Sequence, residues 1–140
     1  MTLFAQDFIR VDREAATAGA ILADRARRVL ERCAHSVLGP HATIDVGDAR
    51  ERDDVVVVPV RLECTDASCP FRLLDGDIQI APYDDTTAHV SIAVTFEPRD
   101  DDLRLRSNAA VEHRRTEQLL RSFLAAVASM VERPRDHATA

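Results

Sequence analysis

The sequence predicts an α+β fold, an antiparallel sheet of about six to seven strands packed under a long C-terminal helix. Three observations carry this reading. Residues 87–97 (TAHVSIAVTFE) place Val90, Ile92, Val94 and Phe96 on one face and His89, Ser91, Thr95 and Glu97 on the other, the pattern of a sheet covered on one side only. Residues 55–64 (VVVVPVRLEC) are rich in β-branched side chains and set Val56, Val58, Val60 and Leu62 on a common face. Residues 108–132 change to helical spacing, with Thr116, Leu119, Leu120, Phe123, Val127, Met130 and Val131 on one stripe. Such a helix is about 36 Å long, enough to cross six or seven strands spaced ~4.8 Å apart.

At 140 residues the chain has the size of one domain. We assign residues 1–133 to it and 134–140 to a disordered tail. The apolar residues of 2–11 predict a first strand. Asp12 is positioned to cap a helix with Glu14 in its first turn, running from about Arg13 to Leu38 and stopped by Gly39-Pro40. Leu22, Ala26, Val29, Cys33 and Val37 form its apolar stripe, widened by Leu30 and Ala34, and Gly19 marks a candidate bend between two shorter helices. Residues 43–50 supply a further strand, and Pro59 in the next one indicates an edge or a bulge.

Residues 71–82 (FRLLDGDIQIAP) admit two readings. Asp75-Gly76 suits a type I′ hairpin, but that leaves arms of about four residues each. One long strand is preferred, with a bulge near Gly76 that brings Phe71 and Leu73 onto the face of Ile78 and Ile80. Turns are expected at Asp66–Pro70 and at Pro82–Asp85. Asp100–Asp102 reads as a loop tip leading to Leu103 and Leu105, and Ser107 or Asn108 as the cap of the last helix.

Composition narrows the function classes. A net charge of −6 opposes partners that present phosphate, nucleic acid or anionic membrane alike. The basic run Arg25, Arg27, Arg28 and Arg32 is interleaved with Asp24 and Glu31, as on a solvated helix face. All eighteen basic residues are Arg, consistent with a GC-rich bacterial genome. No apolar run reaches the ~20 residues of a membrane span, and the first ten residues lack the apolar core of a signal peptide. With three cysteines, an odd count, a reducing cytoplasm is the expected location. Cys64 and Cys69 flank a turn, but no second pair of ligands matches them, so no metal is expected. Nor is a cofactor, since G-x-S-x-G, Gly-rich phosphate loop and H-E-x-x-H motifs are all missing.

VVVVPVRLE at 55–63, LLDGDIQIAPYDDTTAHVSIAVTFEP at 73–98 and AAVEHRRTEQLLRSFLAAVASMVE at 109–132 together resemble the START-like, or SRPBCC, superfamily, in particular members related to polyketide cyclases and lipid-transport proteins. The resemblance covers a little over half the chain well and the N-terminal strand and helix loosely. It implies a helix-grip fold, in which a curved sheet grips the last helix around an apolar cavity that holds a small hydrophobic or amphipathic ligand. The loop after the last strand departs from the Pro-Gly-rich pattern of bacterial relatives, being PRDDDLRLR at 98–106. On these grounds the candidate cavity lining is Val58, Val60, Leu62, Ile78, Ile80, Val94, Phe96, Thr116, Leu120 and Phe123. The same side chains also suit a solid core.

Among five histidines, His35, His41, His89 and His137 read as surface residues. His113 is the best placed, in the first turns of the helix that would border the cavity. With Arg114, Arg115 and Glu117 it is a candidate to orient a ligand group or to act as an acid or base, against the plainer reading of a solvated helix face. No catalytic residue is assigned, and Cys64 reads as a small apolar core residue. Three functions stay open: a binding protein for a small apolar molecule, a structural or homodimerising domain with a filled core, and a cyclase- or hydrolase-type enzyme using His113, Arg115 or Thr116.

Overall fold

The computed structural model describes residues 2–65, 69–98 and 106–132. In chain order its elements are β1 (Leu3–Val11), α1 (Ala15–Leu38), β2 (Ala42–Val46), β3 (Arg50–Arg52), β4 (Val55–Cys64), β5 (Phe71–Pro82), β6 (Ala88–Pro98) and α2 (Arg106–Glu132). The six strands form one antiparallel sheet in the order β1-β6-β5-β4-β2, with β3 also pairing β4. Both helices cover one face. The alternation read from the sequence holds along β4 and β6, where Val56, Val58, Val60, Leu62, Val90, Ile92, Val94 and Phe96 are all buried.

Several local expectations are corrected. The residue preceding α1 is Glu14 rather than Asp12, with φ −65° and ψ 149° and no side-chain bond to the helix. Asp12 instead has its amide engaged by Glu132 Oε2 at 2.8 Å, while Arg13 donates to the carbonyl of Glu132 at 3.1 Å. The end of α2 is thereby tied to the β1–α1 junction. The helical kink falls at Arg25 (φ −129°, ψ 27°) and not at Gly19. Gly19 serves a different purpose: a Cβ there would lie 2.7 Å from Val56 Cγ2, so the missing side chain lets α1 approach β4. Gly39 closes α1 as expected, with φ 90° and its amide on the carbonyl of His35 at 3.0 Å.

The predicted strand 43–50 is two strands, because the chain leaves β4 between Val46 and Arg50. Pro59 lies opposite that gap, and its carbonyl accepts from Gly47 at 2.9 Å. Amide and carbonyl of one strand residue point the same way, so the donor that proline lacks would have faced the break. Asp53 (φ 52°) and Asp54 (φ 67°) connect β3 to β4, joining the paired Arg52 and Val55 by a two-residue turn with both φ values positive.

β5 is one long strand, as preferred, and no hairpin forms at Asp75-Gly76. The bulge is not near Gly76 but between Phe71 and Leu73 on the β6 side. From Leu74 to Ile80 the register is regular, so Leu74, Gly76, Ile78 and Ile80 share the inner face. Leu74 is buried in place of Leu73, and the shift at the bulge returns Phe71 to the core. After β5, Asp84 organises the turn, its Oδ1 accepting from the amides of Thr86 (2.9 Å) and Thr87 (2.8 Å) and from both threonine hydroxyls. These bonds hold the exposed carboxyl below its ordinary value, the Thr86 amide first among them.

α2 begins at Arg106, so Ser107 and Asn108, expected at its start, lie within the helix. Its backbone runs closest to β1, α1 and β6, whereas the close approaches to β4 and β5 come from α1. The expected diagonal crossing of the whole sheet is therefore a seat along the β1 side, with α1 covering the rest. No helix among the described residues is long and apolar enough to cross a membrane. Residues 66–68 of the expected turn Asp66–Pro70, the loop containing Leu103 and Leu105, and the tail after Glu132 lie outside the described residues.

Candidate functional site

All ten side chains singled out from the sequence lie in the interior, on the sheet face that the two helices cover together. Val58, Val60 and Leu62 come from β4, Ile78 and Ile80 from β5, Val94 and Phe96 from β6, and Thr116, Leu120 and Phe123 from α2. Each is buried, and the apolar nine belong to one continuous cluster with Leu22, Val29 and Leu30 of α1. Val58, Ile78, Ile80 and Thr116 carry no accessible surface at all. The interior is thus closed around them in this conformation. Sequence reading missed Leu74 and the role of α1 in roofing β4 and β5. The first depends on where the bulge falls, and the second on how two helices divide one face.

Chemistry changes along the inner stripe of α2. From Leu120 through Phe123, Leu124, Val127 and Val131 the stripe is apolar and buried. One turn before Leu120 stands Thr116, and one turn earlier Glu112, whose side chain is 14% exposed and binds Arg115 at 2.9 Å. Among the described residues Thr116 Oγ1, which is buried, has no hydrogen-bond partner. A buried hydroxyl left unpaired costs about 1–3 kcal/mol, which makes this atom the chemically unsatisfied point of the interior.

His113 is held away from that point. Its Nε2 lies 2.9 Å from the carbonyl oxygen of Phe4, its Nδ1 3.4 Å from Glu117 Oε1, and its ring 5.7 Å from the ring of Phe96. Since the carbonyl only accepts, Nε2 carries the proton in that bond. Arg115 pairs with Glu112. Of the polar groups considered for catalysis, His113 is engaged with β1 and with Glu117, and Arg115 with Glu112, whereas Thr116 is fully buried.

Cys64, read as a core residue, and Cys33, on the apolar stripe of α1, are buried as expected; Cys69, expected in a turn, is buried as well, and none of the three forms a disulfide. Burial pushes the Cys33 thiol up to about 11, against a smaller opposing effect of Arg32. Among the described residues no group of three or more His, Cys, Asp or Glu side chains is placed to hold a metal ion. Clefts also open outside the sheet–helix space. One of about 660 Å³ lies between the kink of α1 and residues 46–49, and another of about 390 Å³ borders Leu3, His113 and Glu117. Both are lined mainly by charged and small side chains.

No protein-family model matches the chain, and no curated protein is similar to it in sequence. Solved structures are similar in shape. The ZhuI aromatase/cyclase from Streptomyces sp. R1128 is 14% identical with a TM-score of 0.55, covering 99% of each chain. A conserved protein from Geobacillus kaustophilus is 10% identical with a TM-score of 0.60, covering 92% of this chain and 95% of that one. Norcoclaurine synthase from Thalictrum flavum is 10% identical with a TM-score of 0.54, covering 94% and 87%. These likenesses run over most of each chain and show the fold: a six-stranded antiparallel sheet with a long C-terminal helix, the helix-grip fold.

Proposed function

We propose that the protein binds a small, largely apolar molecule bearing one hydrogen-bonding group, taken up between the inner sheet face and α2. The observation that carries this is Thr116 Oγ1, buried and unpaired where the apolar stripe of α2 gives way to the Glu112–Arg115 pair. A ligand hydroxyl or carbonyl there would satisfy the threonine, while its apolar body would replace contacts among Phe96, Leu120 and Phe123. Because these residues are closed over in the present conformation, uptake requires α2 to part from the sheet. The closed state then competes with the ligand and lowers its apparent affinity. Two structural neighbours are named as enzymes, an aromatase/cyclase and a norcoclaurine synthase. Catalysis would further require an acid or base within reach of the ligand, and a lone hydroxyl suits holding a group better than moving a proton.

The absence of accessible surface at Val58, Ile78 and Ile80 favours a second reading, a structural or self-associating domain with a filled core. Native mass spectrometry of the protein purified from its producing cell, together with thermal shift against a panel of small amphipathic molecules, separates the two. The binding reading expects a retained or added ligand at one per chain that raises Tm in wild type and does so less in Thr116→Val. No uptake by any route, with Tm unmoved across the panel, would leave the filled-core reading.

A further inference from the structure

α2 is held unevenly along its length. In its second part Leu120, Phe123, Leu124, Val127, Ala128 and Val131 are buried, and Glu132 is tied to the β1–α1 junction through Asp12 and Arg13. From Ala110 to Leu119, all of them described residues, Thr116 is the one buried side chain. Lifting that stretch uncovers far less apolar surface than lifting the rest, and apolar burial is what keeps a packed helix seated. What holds the first part down is polar. His113 Nε2 donates to the Phe4 carbonyl at 2.9 Å. About two turns further on, Arg121 reaches Asp7 at 3.2 Å with a side chain 82% exposed, a pair that solvent weakens.

The His113 ring stands between two spaces. On one side it lies 5.7 Å from the ring of Phe96, which is buried in the interior cluster. Thr116, three residues on, follows on the same side of the helix. On the other side is the cleft of about 390 Å³ bordered by Leu3, Ala110, His113, Arg114 and Glu117. Leu3 of the cleft is the direct cross-strand partner of Phe96, so the two share one sheet face and an apolar floor runs from cleft to interior beneath the imidazole. Glu117 Oε1, 3.4 Å from Nδ1, fixes the rotation of the ring. One side chain, reaching from α2 to the backbone of an edge strand, thus separates an open cleft from the closed interior.

We infer that His113 is the gate of the interior. A ligand enters from this cleft over the Leu3–Phe96 floor when the His113–Phe4 bond opens and the first turns of α2 swing outward, while the buried second part stays seated. This rests on the binding reading above and adds to it the route and the residue that controls it. The bond re-forms once the ligand has passed, so its loss should speed entry and exit by one factor and leave affinity unchanged. Stopped-flow fluorescence of the full chain with N-phenyl-1-naphthylamine, a neutral apolar probe with one N–H donor for Thr116, provides the test. His113→Ala should raise the uptake and release rates ~tenfold, as the loss of one hydrogen bond allows. Ala110→Trp, at an exposed position bordering the cleft, should slow both several-fold. Ala125→Trp, equally exposed on the seated part of α2, should leave both unchanged. Thr116→Val should speed release alone, which locates the probe in the interior. Rates are taken well below each variant's Tm, with circular dichroism to verify the fold. Uptake by every variant at the wild-type rate overturns the gate and leaves the binding reading standing. A change in His113→Ala confined to release makes His113 a ligand contact, and indifference to Ala110→Trp removes the route; either overturns the gate. Uptake by neither wild type nor His113→Ala overturns the binding reading and the gate together.

Discussion

His113 Nε2 lies 2.9 Å from the carbonyl oxygen of Phe4, a residue 109 positions earlier in the chain. β1 is an edge strand, paired only with β6, and alternate residues turn their main-chain groups away from that partner. Phe4 is one of them and Phe8 is another. The amide of Phe8 is taken by Asp7 Oδ1 at 2.8 Å, and Asp7 is itself paired with Arg121 of α2 at 3.2 Å. The gripped helix thus occupies the edge that would otherwise be open to strand pairing with another chain.

His113→Ala should therefore destabilise the fold by ~1–2 kcal/mol, through the lost hydrogen bond and the contact with Phe96. Urea denaturation would measure it. A loss under a few tenths of a kcal/mol would mean that the imidazole is a solvated bystander.

Thr116→Val removes the unpaired hydroxyl while keeping the shape of the side chain. In the ligand-free protein the variant should be more stable by ~1 kcal/mol, since no bond is lost and an unsatisfied group is removed. Thr116→Ser should not share the gain. A destabilised valine variant would show that the hydroxyl has a partner in solution.

Gly76 faces the interior directly opposite Val94. A Cβ there would run into the backbone oxygen of Ala93 and lie 2.7 Å from Val94 Cα, so Gly76→Ala should cost ~2–3 kcal/mol, at the upper end of overpacking. Gly19→Ala meets only a methyl group of Val56 and gains up to ~1 kcal/mol of helix propensity. Its net cost should be smaller and should be relieved when combined with Val56→Ala. Thermal unfolding of the four variants would test both statements.

Cys33 should resist thiol reagents at pH 8 in the folded protein and react once denaturant is added, because burial holds its thiol protonated. The folded value, about 11, lies above the ordinary 9.0, so the native state binds this proton more tightly than the unfolded chain does. Its contribution to stability is complete below the ordinary value and is lost as pH rises through the window from about 9 to about 11. Cys33→Ala should remove that part of the alkaline decline. If the decline is unchanged in the variant, the thiol is not its source.

How far the candidate site could be read from the chain depends on which interactions set each feature. Val58, Val60 and Leu62 declared their face by alternation alone, and Thr116, Leu120 and Phe123 by helical spacing, because both periods are properties of the local backbone. Leu73 was placed inside and Leu74 outside because β5 contains an irregularity whose position is fixed by pairing with β6, not by its own residues. His113 was correctly set in the first turns of the last helix. Its engagement with Phe4 was hidden, because that partner is on the far strand of the sheet.

The sequence by itself determined the class of fold, the identity and limits of most elements, and the inward face of nearly every one. It did so through short-range signals: alternation, helical periodicity, and stops such as Gly39-Pro40. Tertiary structure alone decided that α2 lies along β1 and leaves β4 and β5 to α1, that Thr116 is buried without a partner, and that Phe8, His89 and Tyr83 meet on the outer face. Each of these is a relation between residues brought together only when β1 pairs with β6 and the two helices share one face. A local pattern specifies which way a side chain points, and long-range packing specifies what it meets there.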